Sequence, residues 1–464
     1  MASTLPGLLG LPTELLVSIS SSLPNRDIKS LRLTCRRLFS TASLRLTRVF
    51  LSANPRNIDV FRSITDHETF RQQIVEIIWD DARLESRQRE RYAGSYFLDL
   101  DNGRYYQFSG QCPRWFFNLV LASGADVDAF RYGLKRFPSL KRVTITPFAH
   151  VRLLTPLYET PMIRAFPPGF IYLIPHTWYV HSPGQRPPVS TRRNQLSEFE
   201  KDRYHGVRLV TRELAQFRHH NVTELIIDVN ALLCGTSLLT GIDSTIFTEP
   251  CAEYNDLVTV LRRPGFRRLD LALLVGRQSY QEDWSASRSG LLRRALSEAP
   301  NIEHISLRTD ETQKDSDDSG APDRHFVPRK SIFPVDKWLC LRHFGLSQFL
   351  VRQNDLLSLL AALPATLRSV ELSCLIFLEG TYRGLLADMR DTLDWRGRGT
   401  RERPKVIVGL PADSISERTI WVDEQVGIGV LRDAFDPLYE RPNAEYFGQT
   451  IWAVAKKRPQ PNSI

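Results

Sequence analysis

The chain has 464 residues and a formal net charge of +9; 42% of its residues are hydrophobic and 24% charged. That length is too great for one ordinary compact domain unless the chain repeats itself. No run of 18 apolar residues occurs, so no membrane span is expected, and the first residues lack the basic start and continuous apolar core of a signal peptide.

The first elements lie within residues 8–50. Leu15, Leu16, Ile19 and Leu23 form one helical stripe behind Pro12, whose missing N–H costs nothing in a first turn. Pro24 stops that helix, and Asn25 or Asp27 can cap a second one carrying Ile28, Leu31, Cys35 and Leu38. Two helices of about 25 residues in all cannot bury a core alone, so their apolar faces need the rest of the chain or a partner.

The ordered set Leu11, Pro12, Glu14, Leu15, Leu16, Ile19, Leu23, Pro24, Asp27, Ile28, Leu31, Arg32, Cys35, Arg36 and Leu38 resembles an F-box. The resemblance implies docking onto the Skp adaptor, and through it onto cullin, in a Skp–cullin–F-box ubiquitin ligase. On that reading Leu11, Pro12, Leu15, Leu16, Ile19, Leu23, Ile28, Leu31 and Leu38 make the contact. An ordinary helical hairpin capping a larger domain is the other reading of these residues.

Further along, one small pattern recurs: apolar, two residues, apolar, one residue, apolar. It reads Ile74-x-x-Ile77-x-Trp79, Leu140-x-x-Val143-x-Ile145, Val222-x-x-Leu225-x-Ile227 and Phe266-x-x-Leu269-x-Leu271. It continues as Ile302-x-x-Ile305-x-Leu307, Leu341-x-x-Phe344-x-Leu346 and Leu367-x-x-Val370-x-Leu372, with Pro404, Val406 and Val408 as a degenerate last copy. The final apolar pair alternates as a strand does, and the whole is half of a leucine-rich repeat. Helical stretches lie between the copies, at 115–136 (around a central Ser123-Gly124 break), 206–217, 256–261, 288–299, 354–363 and 384–395. The spacing between copies runs from roughly 26 to over 80 residues, so the array is expected to be degenerate and to carry insertions.

The expected fold class is therefore α/β: a helical F-box at 8–50, then an irregular leucine-rich-repeat-like solenoid of parallel strands and helices over 51–410, and a C-terminal cap and tail at 411–464. An insertion is expected at about 147–197, and a disordered acidic loop at about 310–324. The stretches 77–84 and 363–393 resemble segments of filamentous-fungal F-box proteins, which implies a substrate receptor behind the F-box.

Candidate chemistry is sparse. The six cysteines are widely spaced, which fits buried thiols in a reducing compartment rather than a disulfide framework or zinc site. Asp80 and Asp81 are adjacent, so on a strand they face apart; a turn, or a salt bridge to Arg83, suits them better than a shared ligand. The pair His219-His220 lacks a third metal ligand, and Ser347, His343 and Asp355 lack the glycine pattern of a nucleophile elbow. No phosphate-binding glycine motif occurs. The clusters Arg87–Arg91, Arg192-Arg193 and Lys456–Arg458 are too short to predict nucleic-acid binding. Loop aromatics among Tyr105, Tyr106, Trp178, Tyr179, Trp284, Trp338, Trp395 and Trp421 are candidate binding anchors.

The expected function is a non-enzymatic, intracellular adaptor, cytoplasmic or nuclear, with no cofactor. It would bind the Skp adaptor and an unknown protein substrate, the latter through outward strand positions such as Ser306 and Glu371. Two alternatives stay open: an F-box scaffold not linked to degradation, and a hydrolase-like enzyme in the middle region.

Overall fold

The computed structural model describes residues 7–81, 96–99, 104–107, 120–147, 161, 178, 201–229, 241–275, 285–309, 326–395, 397–411 and 419–423. The acidic stretch 310–324, the clusters at 87–91, 192–193 and 456–458, and the aromatics Tyr179 and Trp284 lie outside these residues. So do nearly all of 148–197 and most of 411–464.

The chain is a mixed α/β fold built on an eleven-stranded, mostly parallel sheet. The strands are β1 (Arg48–Ser52), β2 (Glu76–Asp80), β5 (Arg142–Thr146), β6 (Glu224–Ile227), β7 (Ile242–Asp243), β8 (Arg268–Leu274), β9 (His304–Thr309), β10 (His343–Ser347), β12 (Ser369–Ser373), β14 (Lys405–Pro411) and β15 (Thr419–Asp423). They pair in chain order from β1 to β15, with β7 branching onto β8. Only the last pairing, β14 with β15, is antiparallel. Two small two-stranded sheets complete the set: β3 (Tyr96–Asp99) with β4 (Arg104–Gln107), and β11 (Leu350–Arg352) with β13 (Ile376–Glu379).

The recurring sequence pattern is the physical basis of this order. In each copy, all three apolar residues are buried, from Ile74, Ile77 and Trp79 through to Leu367, Val370 and Leu372. The register stacks equivalent positions directly: Ile77 on Val143, Val143 on Leu225, Leu269 on Ile305, Ile305 on Phe344, and Phe344 on Val370. A one-residue slip would turn every such set to the other face, so the register is strongly specified. The degenerate copy at Val406 and Val408 joins the same stack as β14. The structure adds one copy ahead of these, Leu46-x-x-Val49-x-Leu51, which forms β1 against β2.

Helices connect successive strands and cover the apolar side. They are α4 (Pro55–Asp66), α5 (Glu68–Gln73), α6 (Ala125–Arg136), α7 (His205–Gln216), α8 (Ala252–Leu261), α9 (Ser285–Arg288), α10 (Leu291–Ser297), α11 (Arg329–Ile332), α12 (Gln353–Ala361) and α13 (Tyr382–Thr392). Neighbours in chain order pack together, as α7 does on α8 and α12 on α13. A bidentate ion pair joins α6 to α7, with Arg131 Nε 2.6 Å and Nη2 2.9 Å from the buried carboxylate of Glu213. Glycines set two helix boundaries: the Ser123-Gly124 break lies where the sequence reads it, whereas the break at Gly290 departs from the continuous stretch 288–299. Gly124 at φ 67° sets the start of α6, and Gly290 at φ 78° splits the stretch 288–299 into α9 and α10.

Glycine is also required beside α12. Gln353 Oε1 accepts from the Thr381 N–H at 3.1 Å, and its Nε2 donates to Asp388 Oδ2 at 2.5 Å. Gly380 sits at φ 92°, and a Cβ there would lie 2.5 Å from Gln353 Cβ. Gly380→Ala is expected to cost about 1–3 kcal/mol through strain and clash together. A urea-denaturation midpoint unchanged from the parent would contradict this.

The amino-terminal stretch forms three helices rather than two: α1 (Thr13–Ser21), α2 (Asn25–Arg32) and α3 (Arg36–Thr41), behind a 3-10 turn at Leu8–Gly10. The expected second helix breaks at Leu33–Cys35, where Leu33 caps α2 and Cys35 adopts an extended conformation ahead of α3. Pro12 and Pro24 sit one residue before their helices. Asn25 ties α2 to the following segment instead of capping it: its side chain donates to Arg45 O and accepts from Arg45 N–H.

Candidate functional site

Two surfaces stand out: the apolar exterior of α1–α3 and the face of the sheet opposite the helices.

The three short helices are held together by few buried side chains. Helix α3 packs on both α1 and α2, and each helix buries one large apolar residue: Leu16, Ile28 and Leu38, at 3%, 0% and 5% exposure. Arginines supply much of the remaining support. Arg37 donates to Leu9 O and Leu11 O ahead of α1, Arg45 to Ser21 O and Leu23 O at its end, and Arg32 to Ala42 O at the end of α3. Carbonyls at a helix C-terminus lack partners within the helix and carry partial negative charge, so guanidinium donors fit them.

Among the described residues, Leu16, Ile28, Leu38 and Ala42 stand apart from the continuous core, which begins at Val49. Among the described residues, the continuous core does not extend over this unit, and several of its apolar side chains stay exposed. Leu15 and Ile19 are 51% and 43% exposed, and they lie four residues apart on one ridge of α1. Leu8, Leu9, Val17, Leu33 and Phe39 are exposed as well. These seven dominate the exposed large apolar residues of the described chain, the others being Val60, Val75 and Leu339.

The nine residues expected to contact a partner thus divide. Pro12, Leu15 and Ile19 are exposed, Leu11, Leu23 and Leu31 are half-buried, and Leu16, Ile28 and Leu38 face inward. Leu33 and Phe39 escaped the sequence reading because one continuous second helix puts them off its stripe. The Leu8-Leu9 doublet just ahead of the Leu-Pro pair was the signal available for the first two.

The opposite face of the sheet carries a polar ladder at the first position of each strand. Arg48 Nε lies 2.7 Å from Glu76, Thr144 Oγ1 donates to Glu76 at 2.6 Å, and Arg142 Nε pairs with Glu224 at 2.6 Å. Asp270 receives Arg268 at 2.6 Å and His304 Nε2 at 3.0 Å. Burial opposes ionisation of Asp270, yet hydrogen bonds from His304 and Arg268 overcome it and hold the carboxyl at about 2. The His304 ring stacks on His343 with centroids 3.9 Å apart, and His343 Nδ1 lies 2.6 Å from Ser369 Oγ. Burial, with the neighbouring His304, pushes His343 down to about 3. An imidazole so hard to protonate is a weak base toward the Ser369 hydroxyl, and the contact links β10 to β12.

The other sequence candidates do not assemble. Asp355 accepts from the Arg329 N–H at 2.9 Å, while His343 meets Ser369 and not Ser347. Asp81 accepts from Gly206 N–H at 2.9 Å and Trp178 Nε1 at 2.7 Å, which makes it a buried cross-link to the start of α7. His220 bridges Leu214 O and the Val222 N–H, and burial lowers it to about 4. Trp178, Trp338 and Trp395 are buried and so are not surface anchors; the side chains of Tyr105, Tyr106 and Trp421 lie outside the described residues. Ser306 and Glu371 occupy the second position of the ladder face and are half-buried. Among the described residues no group of three His, Cys, Asp or Glu could hold a metal ion. No helix among them is long and apolar enough to cross a membrane.

The two histidines predict a pH response. Both are lowered from about 6.5 in the folded state, so the unfolded chain takes up protons first as pH falls. Stability is then full above about pH 6.5 and declines as pH falls, the His220 part down to about 4 and the His343 part down to about 3. Asp270, lowered from 3.8 to about 2, adds a further loss across that interval. Melting temperatures measured from pH 7.5 to 4.5 should fall monotonically; a flat or rising profile would contradict the assignment.

The fold defines a class no narrower than a mixed α/β protein on a mostly parallel sheet. No family model matches the chain, and no curated protein matches it.

Proposed function

We infer that the chain is the substrate-recognition subunit of a Skp–cullin–F-box ubiquitin ligase. Residues 8–50 act as the F-box, with Leu15 and Ile19 at the centre of the Skp-adaptor contact and Pro12, Leu8 and Leu9 beside them. The repeat region, 51–410, is a degenerate leucine-rich-repeat solenoid that holds a protein substrate. The receptor would act by proximity, raising the effective concentration of substrate lysines near a ubiquitin-charged enzyme.

The observation that carries this reading is the apolar exterior of α1–α3, which the main core leaves uncovered. Exposed apolar clusters of this kind mark interaction surfaces. The stacked register of β1 to β14 supports the second half, because each strand–helix unit buries itself against its neighbours and frees the amino-terminal helices for a partner. Affinity purification with and without residues 8–50, under proteasome inhibition, tests it. The Skp adaptor should be recovered only with the intact chain. Equal recovery from both forms, or from neither, would reject the F-box assignment.

A further inference from the structure

The strand-leading edge of the sheet brings together basic residues that the sequence scatters. One residue ahead of each strand, a hydrogen-bonded column runs across the molecule. Lys141 N–H donates to Val75 O at 2.9 Å, Thr223 N–H to Lys141 O at 2.8 Å, and Arg267 N–H to Thr223 O at 2.8 Å. Glu303, Arg342 and Arg368 continue the column by the same bond, at 2.8, 2.8 and 2.7 Å. The side chains of this column are therefore about 4.8 Å apart from strand to strand.

Four cations lie in that line against one carboxylate. Lys141 and Arg368 are exposed, and Arg267 and Arg342 are 63% and 69% exposed. Glu303 sits between the two central arginines, 3.3 Å from Arg267 and 3.7 Å from Arg342, and holds both beside it. Exposed Arg401 and Arg403 extend the basic character in the turn ahead of β14. Lining up like charges costs self-repulsion, which an anionic partner relieves.

We propose that this edge binds an extended acidic peptide segment of a partner protein through Lys141, Arg267, Arg342 and Arg368. The row spans five strand intervals, about 24 Å, the reach of about seven extended residues. The chemistry favours peptide over nucleic acid. The column contains no aromatic side chain on which a base could stack. The proposal deepens the receptor reading above by naming the chemical class of segment received, and its test does not involve the Skp adaptor.

The test uses the purified full chain and a fluorescein-labelled decapeptide of alternating Glu and Ser, read by anisotropy. Binding should weaken as salt rises from 50 to 500 mM. The double variant Arg342→Glu/Arg368→Glu should weaken it at least about tenfold, because each substitution replaces attraction with repulsion. The double variant Arg56→Glu/Arg62→Glu makes the same change of net charge at exposed positions on α4 and should bind as the parent does. Unaltered melting temperatures establish that both variants fold. No binding by the parent chain, equal loss in both variants, or tenfold tighter binding of a labelled single-stranded oligonucleotide would each overturn the proposal. None of these outcomes bears on adaptor recovery, so failure here is distinguishable from failure of the F-box assignment.

Discussion

The double variant Leu15→Asp/Ile19→Asp is expected to abolish capture of the Skp adaptor while leaving the melting temperature of the chain unchanged. Both side chains are about half exposed on one ridge of α1, so a carboxylate at either stays in water when the protein is free. In the proposed complex the same carboxylates would be desolvated where an apolar contact is expected. Central apolar positions of an interface carry about 2 kcal/mol or more each, so two charges there weaken binding by more than about 100-fold. Leu16→Asp should behave differently. Leu16 is 3% exposed between the helices, and burying a carboxylate there disrupts the small unit itself. Loss of capture in Leu16→Asp therefore reports on folding, whereas loss in Leu15→Asp/Ile19→Asp reports on docking. Adaptor capture by the double variant at the parent level would remove these two residues from the contact.

The second large effect is expected in the stacked core. Phe344 is fully buried on β10; it stacks in register between Ile305 and Val370 and meets Phe333 edge to face at 5.2 Å. Phe344→Ala removes most of a ring from a site whose neighbours are fixed by the sheet on both sides. It should cost about 3–5 kcal/mol. Leu339→Ala, at a position 72% exposed in the turn before the same strand, should change stability by less than about 0.5 kcal/mol. Urea midpoints of the two variants decide the matter, and comparable losses would contradict the stacking.

The strands were the legible part of this sequence. Each copy spends three apolar residues on buried positions, and the spacing of those positions is fixed by a turn followed by a two-residue alternation. The copy at Leu46 was overlooked because it abuts the amino-terminal helices. Its pattern, Leu46-x-x-Val49-x-Leu51, follows the same rule. The helices were less legible. The Ser123-Gly124 break was legible, but the positive-φ Gly290 and the break at Leu33–Cys35 shift the phase of the apolar stripe, and a stripe read through a break assigns residues to the wrong face.

The site was only partly legible for a related reason. Leu15, Leu16 and Ile19 look equivalent as a pattern, but a helix turns about 100° per residue, which puts Leu16 inside and leaves its neighbours outside. The ladder from Arg268 through Asp270, His304 and His343 to Ser369, and the basic row from Lys141 to Arg368, depend on register between residues dozens of positions apart. No local pattern in the chain encodes them.

The most direct test of the F-box assignment is hydrogen–deuterium exchange of the purified chain with and without purified Skp adaptor. A one-to-one complex should form, with new protection confined to residues 8–39 and centred on α1. Absence of a complex, or protection confined to the sheet and its connecting helices, would contradict it.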